Sequence, residues 1–206
     1  MIKTFITSVA LLCAQALLAD EIESRVIHNY SQIGVSYGYL HDIGNADINA
    51  NGVLGDYSFD FRNVIFHVNG GAFWGQDEPR IDELEIWTIA GGVGYAFRLY
   101  ENHFNIIPRF EVGYSEVSVR VPGFDTARDD STFILPGVTL SYALNNRISV
   151  DGGYTYSRDI DNGDDGHGFT VGTRVALLQQ LGLNVQAAFA EGRGFAGISA
   201  GFSFHY

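Results

Sequence analysis

The chain has 206 residues, enough for one domain, and its 24 acidic side chains exceed its 12 basic ones, giving a formal net charge of −12. Nucleic-acid binding is excluded, because phosphates require a basic footprint that so acidic a chain lacks. Its one cysteine, Cys13, excludes both a disulfide within the chain and a thiolate metal centre.

The first nineteen residues have the pattern of a cleaved signal peptide. Lys3 gives a basic start, residues 4–12 are mostly apolar, and small residues suited to a signal peptidase end at Ala16 and at Ala19. The apolar run is too short for a spanning helix. We therefore expect export and cleavage after Ala19, or alternatively after Ala16. Residues 20–206 then form a single domain.

Ten later segments alternate large apolar residues with small or polar ones, which is the two-residue period of a strand. They cover residues 31–41, 51–61, 63–75, 84–99, 103–119, 131–144, 147–159, 166–178, 181–192 and 195–206. Tight connections, such as 145–146, alternate with longer acidic ones, such as 159–165. The pattern predicts an all-β, antiparallel, up-and-down sheet with ten strands. Eight strands are the alternative, if two segments form a loop hairpin.

The two faces of these segments indicate a barrel closed within a lipid bilayer. No later run reaches ~20 apolar residues, so only strands could cross. The apolar parity carries aromatic residues near both strand ends, as expected where rings lie in both headgroup layers. A soluble barrel also alternates, but its water-facing side would carry Lys and Glu instead of Gly and Ala. Pro108 and Pro136 each remove a ladder donor, and we expect both near strand ends.

The last strand carries the pattern most clearly. Ile198, Phe202 and Phe204 share one parity, Gly201 and Ser203 the other, and the chain stops on an aromatic residue. With its signal peptide, alternating hairpins and aromatic end, the chain resembles the small bacterial outer-membrane β-barrel proteins of the OmpA, OmpX and opacity kind.

This resemblance implies an integral protein of the bacterial outer membrane, in contact with outer-membrane lipid and lipopolysaccharide. It also implies that the barrel assembly machinery recognises the C-terminal strand. Members of this group usually have eight strands. Ten strands would give a wider lumen, because about eight are just filled by side chains.

Eight charged or titratable residues fall on the small, inward parity: Asp56, Asp60, His67, Arg98, Arg109, Glu111, Asp151 and Arg174. Unpaired charge in a narrow lumen is costly, so we expect these residues to form an ion-pair network that plugs and stiffens the barrel. The alternative is a constriction that selects permeating solutes by charge.

Two features of the predicted rim suggest chemistry. Residues 159–166 are rich in aspartate, which suits calcium, but they lack the spacing and the closing glutamate of an EF-hand, so we expect a solvated loop. His167 follows Asp159 and Asp161, and His41 precedes Asp42, as an acid/base hydrolase would need. No His-x-Ser pairing of the kind found in lipid A deacylases is present. We predict no enzymatic activity, no cofactor and no metal.

The expected function is therefore a non-enzymatic outer-membrane barrel with a structural or surface-interaction role, or a narrow passive pore of the porin kind. Two alternatives remain. One is a barrel-embedded hydrolase, acting on protein or on lipid A, with a rim His/Asp site. The other is an adhesin that binds an extracellular ligand through its acidic loops.

Overall fold

A computed structural model describes residues 27–43, 48–77, 81–100, 103–191 and 195–206. The predicted signal peptide, residues 1–19, lies outside these ranges, as does the tip of the last hairpin at 192–194. Within the described residues, no helix is long and apolar enough to cross a membrane.

The described residues form one antiparallel sheet. Its strands are β1 (Gln32–Ile43), β2 (Ile48–Phe61), β3 (Val64–Asp77), β4 (Ile81–Tyr95), β5 (Phe97–Leu99), β6 (Phe104–Arg120), β7 (Ala127–Ala143), β8 (Ile148–Asp159), β9 (Asp165–Ala176), β10 (Leu181–Glu191) and β11 (Phe195–His205). Consecutive strands pair from β1 to β4 and from β5 to β11, β1 also pairs with β11, and β4 pairs with β6. The sheet therefore closes into an up-and-down barrel.

The short strand β5 continues β4 in the same register. Gly94 faces Arg109 and Phe97 faces Ile106 on β6, so the interruption between β4 and β5 lies opposite Pro108. Proline has no N–H group to donate to the ladder. The prediction of ten strands is thus confirmed, with one of them broken at a proline, and the alternative of eight strands is wrong.

The expected position of Pro136 near a strand end is also wrong. Pro136 lies near the middle of β7, and the β7–β8 ladder passes from the Ile134–Arg158 pair directly to the Gly137–Thr155 pair. Two positions of the ladder are therefore lost inside the barrel wall, where a missing amide donor is expected to interrupt pairing.

The predicted faces are confirmed. Trp74, Val150 and Phe202 are 50%, 38% and 51% exposed on the outside, whereas Gly94 and Glu111, on the opposite parity, are buried inside. Exposed aromatic residues lie on the outer face near both ends of the strands, such as Trp74 and Phe169 towards the longer loops and Phe61 and Phe204 towards the tight turns. We call the two ends of the barrel the turn end, which also holds residues 27–31 and Tyr206, and the loop end.

Candidate functional site

The lumen is the candidate site, because all eight predicted charged residues lie on inward positions of the strands. The structure pairs seven of them. Asp60 contacts Arg98 near the turn end, Glu111 contacts His67 and Arg109, and Asp151 lies 3.9 Å from Arg174. The exception is Asp56, whose carboxylate accepts a hydrogen bond from Gln32 at 3.0 Å.

Asp60 owes its position to the turn between β2 and β3. Arg62 and Asn63 have positive φ values of 53° and 72°, as a two-residue hairpin turn requires. The Asp60 carboxylate accepts a hydrogen bond from the Asn63 amide at 3.1 Å. This tight turn therefore holds Asp60 at the turn end, beside the Arg98 side chain of β5.

Glu111 is the most enclosed member of the network. Its Oε1 lies 3.2 Å from His67 Nε2 and 3.3 Å from Arg109 Nε, and its Oε2 accepts a hydrogen bond from Asn69 Nδ2 at 3.3 Å. Neither contact to Oε1 has hydrogen-bond geometry, so the attraction between Glu111 and the Arg109 guanidinium is mainly Coulombic. Arg109 also donates to Thr155 Oγ1 at 3.1 Å, which links β6 to β8 over the inner face of β7.

A cavity of about 470 Å³ lies between these groups, and side chains from all around the barrel line it. Ser, Thr, Asn and Gln supply eleven of its 27 lining residues, and Asp56, Arg109, Asp151 and Arg174 are among the charged members. We call this cavity the chamber. An eight-stranded barrel would be nearly filled by its own side chains, so the two additional strands account for the space.

The turn end of the lumen is filled by a cluster that the sequence did not predict. Tyr30, which precedes β1, packs against Ile65, Ala96 and Ile107, and all four are buried. The Tyr30 hydroxyl accepts a hydrogen bond from Asn105 Nδ2 at 2.8 Å. We call this cluster the floor. Tyr30 has the same even numbering as Gln32 and Gly34, which face the lumen. That parity was the one sequence signal that could have predicted an inward position for Tyr30.

Residues 29–31 are held in place by hydrogen bonds to the C-terminal strand and to β2. His205 Nδ1 lies 3.0 Å from the Asn29 carbonyl oxygen, and the Tyr206 amide donates to the Ser31 carbonyl at 3.2 Å. The Ser31 hydroxyl accepts from the Asp60 amide at 3.0 Å. The segment before β1 is thereby fastened to β2 and to the C-terminal strand, which keeps Tyr30 inside the lumen.

The rim does not bring the proposed catalytic pairs together. His167 lies on the outer face, where its Nδ1 is 2.8 Å from the Tyr154 hydroxyl and its ring contacts Tyr156. Asp159 is on the inward parity and buried. His41 Nδ1 contacts Asn49 Oδ1 at 2.5 Å, and the side chain of Asp42 lies outside the described residues.

The aspartate-rich loop uses its own backbone to hold Asp159. The Asp159 carboxylate accepts hydrogen bonds from the amides of Asp161 and Asn162 at 2.9 and 3.2 Å. Burial raises the pKa of Asp159, but the hydrogen bonds from these amides and from the Ser131 hydroxyl lower it by a larger amount. The pKa of Asp159 therefore lies below its ordinary 3.8. Among the described residues, no group of three or more His, Cys, Asp or Glu side chains is placed to hold a metal ion.

Comparisons with known proteins bear on this architecture. A family model described as the outer membrane protein β-barrel domain matches residues 4–176. The β domain of the Bordetella autotransporter BrkA aligns with a TM-score of 0.56 at 11% identity, covering 85% of this chain and 99% of that one.

Two further solved structures are similar. Neisserial surface protein A aligns with a TM-score of 0.46 at 12% identity, over 85% of this chain and 95% of that one. Ail of Yersinia pestis aligns with a TM-score of 0.41 at 16% identity, over 85% and 99%. No curated protein matches the chain. At these identities, the solved structures bear on the fold alone.

Proposed function

Because the chain belongs to the outer membrane protein β-barrel domain family, we propose that it is an integral barrel of the bacterial outer membrane that conducts no ions and does no chemistry. It acts through the surface at its loop end, with the outer face in contact with lipid and lipopolysaccharide. The observation that carries this proposal is the floor, where Tyr30, Ile65, Ala96 and Ile107 fill the turn end of the lumen.

The floor is an effective barrier because an ion that crosses it must give up its water. Beside the apolar cluster lie Asn105, Ser141, Ser149, Ser203 and His205, each at most 1% exposed. Asn105 Nδ2 donates to the Tyr30 hydroxyl at 2.8 Å, and Ser203 Oγ lies 2.9 Å from His205 Nε2, so part of this polar layer is held by the protein itself. Moving a bare ion past such a layer costs several kcal/mol or more.

Single-channel recording in planar lipid bilayers tests the floor. Refolded residues 20–206 should give no unitary current. The double variant Tyr30→Ala/Ile107→Ala should give stepwise currents, because it removes the ring and the side chain that fill the turn end. The matched control is Tyr37→Ala, which removes an equal ring from the outer face, where Tyr37 is exposed, and should stay silent.

Either of two results contradicts the proposal. Steady unitary current from the unaltered protein would mean that the floor is open or absent in the membrane. A silent double variant that is folded, judged by its heat-modifiable migration in gels, would mean that another layer closes the lumen. Only steady unitary current from the unaltered protein would make a narrow porin the better assignment.

The loop end offers the surface for an external role. A depression of about 510 Å³ lies between the β6–β7 and β8–β9 hairpins and is lined by Asp129, Asp130, Asp159, Asp164 and Asp165, among others. So many carboxylates at one place create a negative potential that favours a cationic partner surface. This supports surface interaction, and an adhesin in particular, over a purely structural role.

Binding of a fluorescent oligo-arginine peptide to whole cells that display the barrel tests this surface. Replacing Asp129 and Asp130 by Asn removes two charges from the depression and should weaken binding and reduce its salt dependence. The control is Asp82→Asn with Glu83→Gln, which removes exposed charge from the loop end of β4. Equal losses in both variants would mean that net charge, and not this depression, attracts the peptide.

A further inference from the structure

The chamber contains hydrogen-bonding groups that the protein itself does not use. Gln32 Oε1 and Asn184 Oδ1 are buried acceptors with no partner among the described residues. Within that same part of the chain, the side chains of Ser36, Thr170 and Ser199, which also line the chamber, form no hydrogen bond with protein. Buried polar groups normally find partners, and the half-buried hydroxyls of Ser36, Thr170 and Ser199 can find them in molecules inside the chamber.

The charged groups of the chamber are, by contrast, largely neutralised by one another. Glu111 faces both His67 and Arg109 and Asp151 faces Arg174, whereas Asp56 accepts a hydrogen bond from the neutral amide of Gln32. A charged solute would have to compete with these partners or lie beside an uncompensated ion. The groups that remain unused are neutral donors and acceptors, which favours a neutral solute.

The size of the chamber fits a small organic solute as well as water. Its volume of about 470 Å³ falls within the ~300–1,000 Å³ of ordinary ligand pockets. Filled with water, it would hold roughly fifteen molecules at ~30 Å³ each. A ligand gains by displacing such water only where it reproduces the hydrogen bonds. Hydroxyl groups both donate and accept hydrogen bonds. A polyhydroxylated solute can therefore replace the water bonded to the Ser, Thr, Asn and Gln side chains of the chamber.

Access to the chamber is asymmetric at the loop end. Inward positions on β2, β3, β4 and β7 carry Leu54, Phe73, Leu84 and Phe133, of which the last three are buried. Inward positions on β8 to β11 carry Ser157, Gly168, Ala188 and Gly197 instead. The narrow side chains leave room for an entrance along β8–β11, from the side opposite the floor.

We propose that the chamber is a binding site for a small, neutral, polyhydroxylated solute of simple-sugar size, which enters from the loop end between β8 and β11 and is retained by the floor. The proposal rests on the closed floor of the proposed function, but the two can fail separately. Unitary current reports on the floor, whereas saturable binding reports on the chamber.

Saturation-transfer NMR with D-glucose on the refolded barrel measures the binding. D-glucose should bind saturably, and D-glucuronate, which differs by a carboxylate, should bind more weakly. Asn184→Leu should weaken glucose binding about twofold to tenfold, which is the effect of losing one neutral hydrogen bond. Asn146→Leu makes the same change at the exposed β7–β8 turn and should leave binding unchanged. If Asn184→Leu does not fold, Thr170→Val serves in its place.

Adjacent alanines of β10 test the entrance. Ala188 faces the lumen, opposite Thr170 and Gly197, whereas Ala187 faces outward, opposite Val171 and Ile198. Ala188→Phe should slow glucose association at least tenfold, and Ala187→Phe should not. The proposal is overturned if glucose shows no saturable binding, if glucuronate binds as tightly, if Asn184→Leu changes nothing, or if the two phenylalanine variants behave alike.

Discussion

Replacing Glu111 by Gln tests the ion-pair network where it is most enclosed. The Glu111 side chain is 5% exposed and stands between His67 and Arg109, so the substitution leaves the Arg109 charge without its anion. Breaking a buried pair on one side typically costs ~3–5 kcal/mol. Arg109 keeps 29% exposure and its bond to Thr155, so we expect the lower end, about 3 kcal/mol.

Asp151→Asn is the comparison that the same barrel provides. Asp151 is 23% exposed and lies 3.9 Å from Arg174, so its pair is longer and better solvated. We expect a loss of about 1 kcal/mol or less from Asp151→Asn. The ranking of the two variants follows from burial and distance, and it does not depend on the absolute values.

Equilibrium urea unfolding in lipid vesicles, followed by the fluorescence of Trp74 and Trp87 on the outer wall, measures both losses. Two further variants, Arg109→Met and Glu111→Gln/Arg109→Met, complete a double-mutant cycle. The double variant removes both charges and should be less destabilised than Glu111→Gln and Arg109→Met together, with a coupling of at least ~1 kcal/mol. The reasoning fails if Glu111→Gln costs no more than Asp151→Asn, or if the double variant is simply additive.

Two further predictions concern packing and pH. In Gly113→Ala, the new methyl group would overlap the buried Phe133 ring, and we expect a loss of ~1–3 kcal/mol in the same unfolding assay; Gly152→Ala, which has open space around it, should be nearly neutral. An NMR titration of the Asp159 carboxyl should show a midpoint below 3.8, since its folded pKa is lowered. The contribution of the Asp159 carboxylate to loop stability is then complete above pH 3.8 and is lost as the pH falls through that midpoint. A midpoint at or above pH 3.8 would contradict this account.

The wall of the barrel could be predicted from the sequence because a bilayer enforces parity. Every second residue of each strand faces hydrocarbon, so Trp74 and Phe202 could be assigned to the outside without any knowledge of their neighbours. The same parity assigned Glu111 and Arg174 to the lumen. The strand partners then followed from short connections, which place consecutive strands side by side.

Strand ends were less predictable, because parity loses its meaning outside the bilayer. β7 begins at Ala127, four residues before the predicted start, and the β6–β7 ladder reaches the Val119–Ala127 pair. Residues 127–130 are exposed whichever way they point. Where water lies on both faces, no apolar residue is required on either, so the sequence carries no alternation to read.

Contacts between side chains inside the lumen could not be predicted, since they depend on register and on side-chain length together. Asp56 accepts a hydrogen bond from Gln32 and not from an arginine, and Arg109 donates to Thr155 on β8. Both contacts depend on how far along the barrel axis each residue lies, which parity does not specify. Tyr30 was missed for a related reason. It precedes the first strand, and hydrogen bonds to β2 and to the C-terminal strand fix the segment inside the lumen.

What the lumen can do is therefore set by the sizes of inward residues at each height, and not by the alternation that builds the wall. Bulky groups at the turn end, such as Tyr30 and Ile107, meet across the barrel and close it. Small ones at mid-height, such as Ser36 and Thr170, cannot meet across a ten-stranded wall, so they leave the chamber. The same alternating sequence could encode a pore if the residues at the turn end were as small as those at mid-height, which is why Tyr30 and Ile107 decide between a pore and a closed barrel.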